Sequence, residues 1–333
     1  MEKKQPHISG ERAVLSQKSL VLFCAEKSTG NRVVVKCSGH EDGMREIRRE
    51  KIMRDHLATA KYSTDRPALP KETFFGERDN YIFLATEYVD QERVFVKHDL
   101  QQQFFMALNA FERQEAFHAT TYEHLSSIKK IAEIITPELY SEKFGNFIKN
   151  ANANYQNSET LSTLMQAKNL FDQNLNMVRT YSYYLIHEDL VPHNFRIRNS
   201  HIHMLDCASL QYGNKYESWA RFINYMVIHS PELEKKLLQY IKNSRGEREY
   251  LCLRVMRAFK VAQLINYHAS LISKVEGNFL QLTKIRLDFW TKVLSKILAD
   301  EKISSEEHEN YTRQRDALRS NEEKERQQEF AVA

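Results

Sequence analysis

The feature that most constrains the fold is a change of pattern near Asp90: strand-like runs fill the residues before it, and helical spacing dominates after it. Residues 13–15, 20–25 and 32–37 are short apolar and β-branched runs. Ser28-Thr29-Gly30-Asn31 between two of them has hairpin-turn chemistry, because Gly and Asn accept the left-handed backbone of a tight turn. From 43 to 57 the pattern becomes helical, with Met44, Ile47, Met53 and Leu57 recurring among charged residues. Pro67 and Pro70 bracket a connection to two further strands, 73–75 and 81–86, with a turn expected at Gly76 to Asn80. Strands grouped ahead of helices, with one helix among them, specify an α+β fold with a small antiparallel sheet.

After Asp90 the sequence predicts a helix over 100–120, with Phe104, Phe105, Leu108 and Phe111 as its core face. A single long helix is expected where Leu161, Leu164, Met165, Phe171, Leu175 and Val178 form one stripe, capped by Ser158 or Thr160. Residues 195–198 and 201–205 read as a strand pair joined at Asn199-Ser200, and helices follow to about 300. The tail 301–328 is rich in Glu, Arg, Gln and Ser, so it is expected as a solvated helix or disordered.

Composition removes several classes of function. Across 333 residues, 42% hydrophobic and 28% charged content is that of a globular chain. No apolar run approaches the ~20 residues of a membrane helix, and Met1 to Pro6 is not followed by a signal-peptide core, so a cytoplasmic protein without membrane association is expected. Cys24, Cys37, Cys207 and Cys252 form no paired motif, which argues against zinc and disulfide frameworks. The net charge of +4 comes from 48 basic and 44 acidic residues mixed along the chain, so no nucleic-acid partner is expected. His193, His201 and His203 lack a completing Cys or carboxylate set and read as surface or packing residues.

Phosphoryl transfer needs a carboxylate beside the acceptor hydroxyl, oxygen ligands for Mg²⁺, a cation on the nucleotide phosphates and a place for adenine. The sequence offers Asp189 and Asn194 on one short loop, and Asp206 after the apolar run 202–205. Magnesium takes few carboxylates alongside phosphate and water, so one Asn and one Asp suit it.

His187-Glu188-Asp189-Leu190-Val191-Pro192-His193-Asn194, followed by Leu205-Asp206, resembles the catalytic and metal loops of the aminoglycoside phosphotransferase/choline kinase-like family. Val33-Val34-Val35-Lys36 resembles that family's lysine strand and Arg49-Glu50 its glutamate helix, while residues 68–77 and 81–89 resemble the strands leading to its hinge. Lysine strand, glutamate helix, hinge, catalytic loop and metal aspartate occur in the family's order, and that order carries more weight than any one motif. The resemblance implies a two-lobed, protein-kinase-like fold: a nucleotide-binding N-lobe at 1–89, a helical C-lobe with the catalytic and metal loops at 90–300, and a charged tail at 301–333.

It also implies roles. Asp189 is the catalytic base or hydroxyl-orienting residue, and Asn194 and Asp206 are Mg²⁺ ligands. Lys36 sits on the ATP phosphates held by Glu50, with Glu46 one helical turn away as the alternative partner. Thr86, Glu87 and Val89 border adenine, and His187 orders the loop. The expected reaction moves the γ-phosphate of Mg-ATP to a hydroxyl of a small molecule. A regulator that binds nucleotide without turnover, a protein kinase-like enzyme and a helical interaction module are the competing readings.

The chain departs from the family pattern at defined places. Leu15-Ser16-Gln17-Lys18-Ser19-Leu20 stands where a glycine-rich phosphate loop is usual, leaving Ser16 and Ser19 as candidate phosphate contacts. Glu188 replaces a glycine, and Ser218 stands where an aspartate braces the catalytic loop. A sequence pI near 8.7 gives a polycationic acceptor no general support, so a neutral or anionic hydroxylated acceptor is expected.

Overall fold

The structure is a computed structural model that describes residues 7–9, 12–14, 18–59, 68–91, 93–118, 133–198, 201–321 and 324. Strands β1 (His7–Ser9) and β2 (Arg12–Val14) form a hairpin. A four-stranded antiparallel sheet follows, ordered β3-β4-β6-β5 from β3 (Leu20–Ala25), β4 (Arg32–Ser38), β5 (Glu72–Arg78) and β6 (Tyr81–Glu87). The turn between β5 and β6 is shorter than the expected Gly76–Asn80 loop. Only Asp79 and Asn80 leave the strands, both with positive φ (51° and 64°), so the hairpin closes in two residues.

Helix α1 (Glu41–Thr59) joins the sheet to the rest of the molecule. Ile47 packs with Ile82 and Leu84 of the sheet, while Met53 and Leu57 pack with Leu185, Met204 and Leu210 of the helical half. Full burial of an apolar side chain of this size stabilises by about 1.5–3 kcal/mol, so these contacts fix the orientation of α1 between the two halves. Gly43, in its first turn, has no room for a Cβ, which would collide with the Lys18 carbonyl and Ser38 Oγ. That close approach leaves room for Ser38 Oγ to donate to Lys18 O at 2.6 Å, which ties the segment ahead of β3 to the end of β4.

The second half comprises α2 (Leu100–His118), α3 (Pro137–Asn154), α4 (Ser158–Gln173), α5 (Leu175–Thr180), α6 (Tyr216–His229), α7 (Pro231–Arg245), α8 (Glu247–Ala269), α9 (Gly277–Leu298) and α10 (Ser305–Ala317). Two short antiparallel ladders sit against these helices. One pairs β7 (Tyr184–His187) with β10 (Leu210–Gly213), the other β8 (Phe195–Arg198) with β9 (His201–Met204). A small antiparallel sheet followed by a mainly helical body makes the chain α+β and two-lobed.

Several expectations change. The single long helix is two, because the chain bends at Asn174, and its N-cap is Asn157, whose side chain accepts from Thr160 N, rather than Ser158 or Thr160. Met165 and Phe105 are exposed: each falls on an apolar stripe, but the stripe is wider than the contact its helix makes. The helix predicted to reach Thr120 is described to His118, and Asn199-Ser200 lies outside the described residues. Within the charged tail, α10 opens with a capping box between Ser304 and Glu307, and Tyr311 stacks on Phe289, so one face of it is docked.

Candidate active site

Lys36 lies on β4, which is paired on both edges, so its register is set by β3 and β6 together. Its ammonium reaches across to α1 and contacts Glu50 at 2.7 Å, and it also meets Asp206 Oδ1 at 3.2 Å. Burial pulls the Lys36 pKa down, but the two carboxylates outweigh it and leave the ammonium raised above its ordinary value. Glu50 is itself buried and accepts from Arg54 Nε and Nη2 at 3.1 and 2.9 Å, while Arg54 Nη1 donates to Pro70 O. A buried carboxylate held by two cations is fixed in position. Glu46, the alternative partner, instead lines the cleft, where burial and the neighbouring Asp206 charge raise its pKa.

Asp206 follows β9 in a left-handed backbone conformation (φ 53°, ψ 58°) and starts a 3₁₀ turn, Cys207–Ser209. That turn brings Ser209 Oγ to Asp206 Oδ2 at 2.6 Å. Burial would raise the Asp206 carboxyl, but the Lys36 charge and the Ser209 hydrogen bond hold it below the usual range. The carboxylate is therefore ionised and aimed at the gap between the halves.

Asp189 stands after β7, with both oxygens held. Arg221 Nε on α6 donates to Oδ1 at 2.7 Å, and Asn194 Nδ2 donates to Oδ2 at 3.2 Å and to the Asp189 carbonyl at 2.8 Å. Because the Asn194 amide nitrogen faces Asp189, its Oδ1 points away and is left as an acceptor for a cation. Among the described residues there is no group of three or more His, Cys, Asp or Glu suited to a metal. The Asn194–Asp206 pair instead offers one amide and one carboxylate oxygen, a donor set that suits a magnesium ion completing its shell with phosphate and water.

The two loops are locked to each other by backbone bonds, Leu205 N to Asn194 O at 2.8 Å and Glu188 N to Ser209 O at 2.9 Å. His187 adds a third tie through Nε2 and Leu205 O at 3.0 Å. Ser218, fully buried on α6, accepts from His187 N at 3.0 Å and from Gln114 Nε2 at 2.7 Å. A serine thus braces this loop from α6, with Gln114 as a second donor on the same oxygen.

At the far end of β6, the Glu87 N–H is committed to Lys71 O at 2.8 Å, and Thr86, next to last in the strand, sits opposite Val34. Val89 is buried, and its N–H has no hydrogen bond among the described residues. Ser19 is half-buried just ahead of β3, whereas Ser16 lies outside the described residues.

Asp189, Asp206, Ser209 and Glu46 open onto a cleft of about 410 Å³. Its other wall is built by α6, α8 and α9 and presents Arg221, Lys260, Gln263, Tyr267 and Trp290. Lys260 is buried and pairs with Glu217 at 3.1 Å. Glu188, at the glycine position of the motif, turns toward α8, where Gln263 Nε2 donates to it at 3.3 Å and Lys260 lies 4.0 Å away. Arg54, Arg221, Gln114 and Lys260 did not stand out in the sequence. Arg54 was reachable, being one turn from Glu50 on the same helix face; the others come together only through helix packing.

No protein-family model matches the sequence, and no curated protein matches it. Solved structures do match. The ADP-bound aminoglycoside phosphotransferase APH(2'')-Ib aligns at a TM-score of 0.55 and 14% identity, over 90% of this chain and 94% of that one. The GDP complex of wild-type aminoglycoside 2'-phosphotransferase-IIIa aligns at 0.59 and 13% identity, over 83% and 93%. A streptomycin–ATP–APH(2")-IIa ternary complex aligns at 0.54 and 13%, over 84% and 93%. At this identity the similarity is one of fold, and the chain has the two-lobed, kinase-like fold of these phosphotransferases.

Proposed function

We propose that this protein is a member of the aminoglycoside phosphotransferase/choline kinase-like family and transfers the γ-phosphate of Mg-ATP to a hydroxyl of a small molecule. The observation that carries the reading is convergence. Residues from distant parts of the chain are linked through contacts, Lys36 with Glu50 and Asp206 and Asn194 with Asp189, and Asp189 and Asp206 line one cleft, in a fold shared with nucleotide-bound phosphotransferases.

In this reading Lys36, held by Glu50, binds the α- and β-phosphates, and Ser16 and Ser19 remain the candidate further phosphate contacts. Thr86, Glu87 and the N–H of Val89 border the adenine edge. Asn194 Oδ1 and Asp206 hold Mg²⁺, which neutralises phosphate charge when bound. Asp189, fixed by Arg221 and Asn194, accepts a hydrogen bond from the acceptor hydroxyl and takes its proton during transfer. A cytoplasmic location, where ATP is available, belongs to the same proposal.

The cleft favours a neutral, hydroxyl-rich acceptor. Of the four carboxylates that line it, Asp189 is paired with Arg221, Asp206 with Lys36, and Glu188 lies 4.0 Å from Lys260, which leaves Glu46 as the one without an ion pair among the described residues. A polycation would meet these cations with few free counter-charges.

The test is calorimetric ATP binding with and without Mg²⁺ on wild type and Asp206→Asn, followed by a panel of sugars, nucleosides and aminoglycosides as acceptors. Mg²⁺-dependent binding that the variant loses, with turnover on a neutral hydroxylated compound, supports the proposal. Loss of ATP binding in both proteins defeats it, binding without turnover on any acceptor favours a regulator, and efficient phosphorylation of an aminoglycoside overturns the acceptor class.

A further inference from the structure

A second cavity, distinct from the cleft, lies behind the loop that carries Asp189. It measures about 250 Å³ and is enclosed by α2, β7 and β9. Its lining is mainly apolar, with Ala110, Leu185, Ile186, Leu190, Ile202 and Met204 on its walls. Apolar cavities of about 150 Å³ stay dry and admit a single benzene ring, so this volume suits one or two fused rings.

Two polar atoms on lining residues break that apolar character. His187 Nδ1 and Gln114 Oε1 are buried and have no hydrogen-bond partner among the described residues, and their side chains are only 1% and 3% exposed. The sense of each can be worked out from its other end. His187 Nε2 faces the carbonyl of Leu205, which can only accept, so in the neutral ring the proton is on Nε2 and Nδ1 presents a lone pair. Gln114 Nε2 donates to Ser218 Oγ, which leaves Oε1 as the acceptor end. Both orphans are therefore acceptors, and both residues are tied to Ser218 Oγ, His187 through its backbone N–H and Gln114 through its side-chain amide. A buried acceptor left unpaired is costly, and native proteins satisfy such groups with protein, water or ligand.

We propose that this cavity is a binding site for a small, flat, largely apolar molecule bearing an N–H or O–H donor, which pairs with His187 Nδ1 or Gln114 Oε1. The apolar walls supply the ring contacts and the two acceptors select for the donor. The site shares no lining residue with the acceptor cleft, so it stands apart from the phosphotransfer reading.

The test uses the full chain without nucleotide and two probes of nearly equal shape, indole and 1-methylindole, of which only the first has a donor. At a concentration a few times its Kd, indole raises the Tm of wild type by about 2 °C and 1-methylindole by less than half of that. Ala110→Phe, which fills the cavity from α2, abolishes the response; if that variant lacks a cooperative transition, Ile202→Trp fills it from β9. Independently of either variant, the indole N–H proton followed by NMR shifts downfield on adding wild-type protein. Equal stabilisation by both probes overturns the assignment of the two acceptors. No stabilisation and no N–H shift, the result expected if the cavity holds only water, or an unchanged response in the filled variant, overturns the site.

Discussion

Arg221 Nε donates to Asp189 Oδ1 at 2.7 Å, so the carboxylate expected to orient the acceptor is held from helix α6 as well as from its own loop. Both residues are largely buried, which makes this contact a positional device more than a surface ion pair.

Replacing Arg221 with Ala is expected to free the Asp189 carboxylate and lower kcat by ~10–100-fold, the usual cost of a misplaced reacting group. KM for ATP should change little, because Arg221 faces the acceptor cleft. Arg221→Lys should recover only part of kcat, since an ammonium does not reproduce the guanidinium geometry. Steady-state kinetics on the acceptor found in the panel checks this, and an unchanged kcat in Arg221→Ala would show the contact to be idle.

Ser218→Ala removes the oxygen that accepts from His187 N and Gln114 Nε2, leaving two buried donors unsatisfied. A loss of about 1–3 kcal/mol is expected, seen as a lower urea midpoint with an unchanged m-value. A midpoint within error of wild type would mean that another group takes over the brace.

Glu50 and Glu46 lie one turn apart but should behave differently. Glu50→Gln leaves Lys36 and Arg54 without their shared buried counter-charge, with an expected cost of about 3–5 kcal/mol and loss of ATP binding. Glu46→Gln, at the cleft wall, should cost less than about 0.5 kcal/mol. Parallel urea melts separate the two, and the reverse order would return Glu46 to the role of lysine partner.

Glu188 gives a pH-dependent outcome. Burial pushes its carboxyl up, but the Lys260 charge and the Gln263 amide outweigh that and leave its pKa below the ordinary value. A carboxyl depressed in the folded state contributes stability above the unfolded pKa of about 4.3 and loses it as the pH falls through the lower folded value. Wild type should therefore melt about 1 °C above Glu188→Gln at pH 7, a small gap because the side chain is partly exposed, and the gap should close below about pH 4. A gap that widens on acidification would reverse the assigned sign.

The strand-then-helix order and the spacing of Lys36, Glu50, Asp189, Asn194 and Asp206 were legible in the sequence because each belongs to a local pattern. Apolar alternation, a 3.6-residue stripe or a loop motif is written in consecutive residues. Errors fell where local pattern and tertiary context compete. Asn157 wins the cap because its side chain reaches Thr160 N, and the long stripe breaks at Asn174 although its apolar spacing continues into α5. Phe105 and Met165 follow helical periodicity, yet no neighbouring element covers them.

By itself the sequence determined the two-part architecture, the elements that carry the candidate site and the residues along them that the proposed function assigns to phosphate, metal and hydroxyl. Only the tertiary structure put Glu50 rather than Glu46 on Lys36, placed Arg221 on Asp189, put Ser218 and Gln114 behind His187, and formed an apolar cavity lined by residues whose two acceptors have no partner among the described residues. These are contacts between helices and loops far apart in the chain, set by which faces pack together, and no periodicity along the backbone encodes the distance between side chains that meet only when the core is formed.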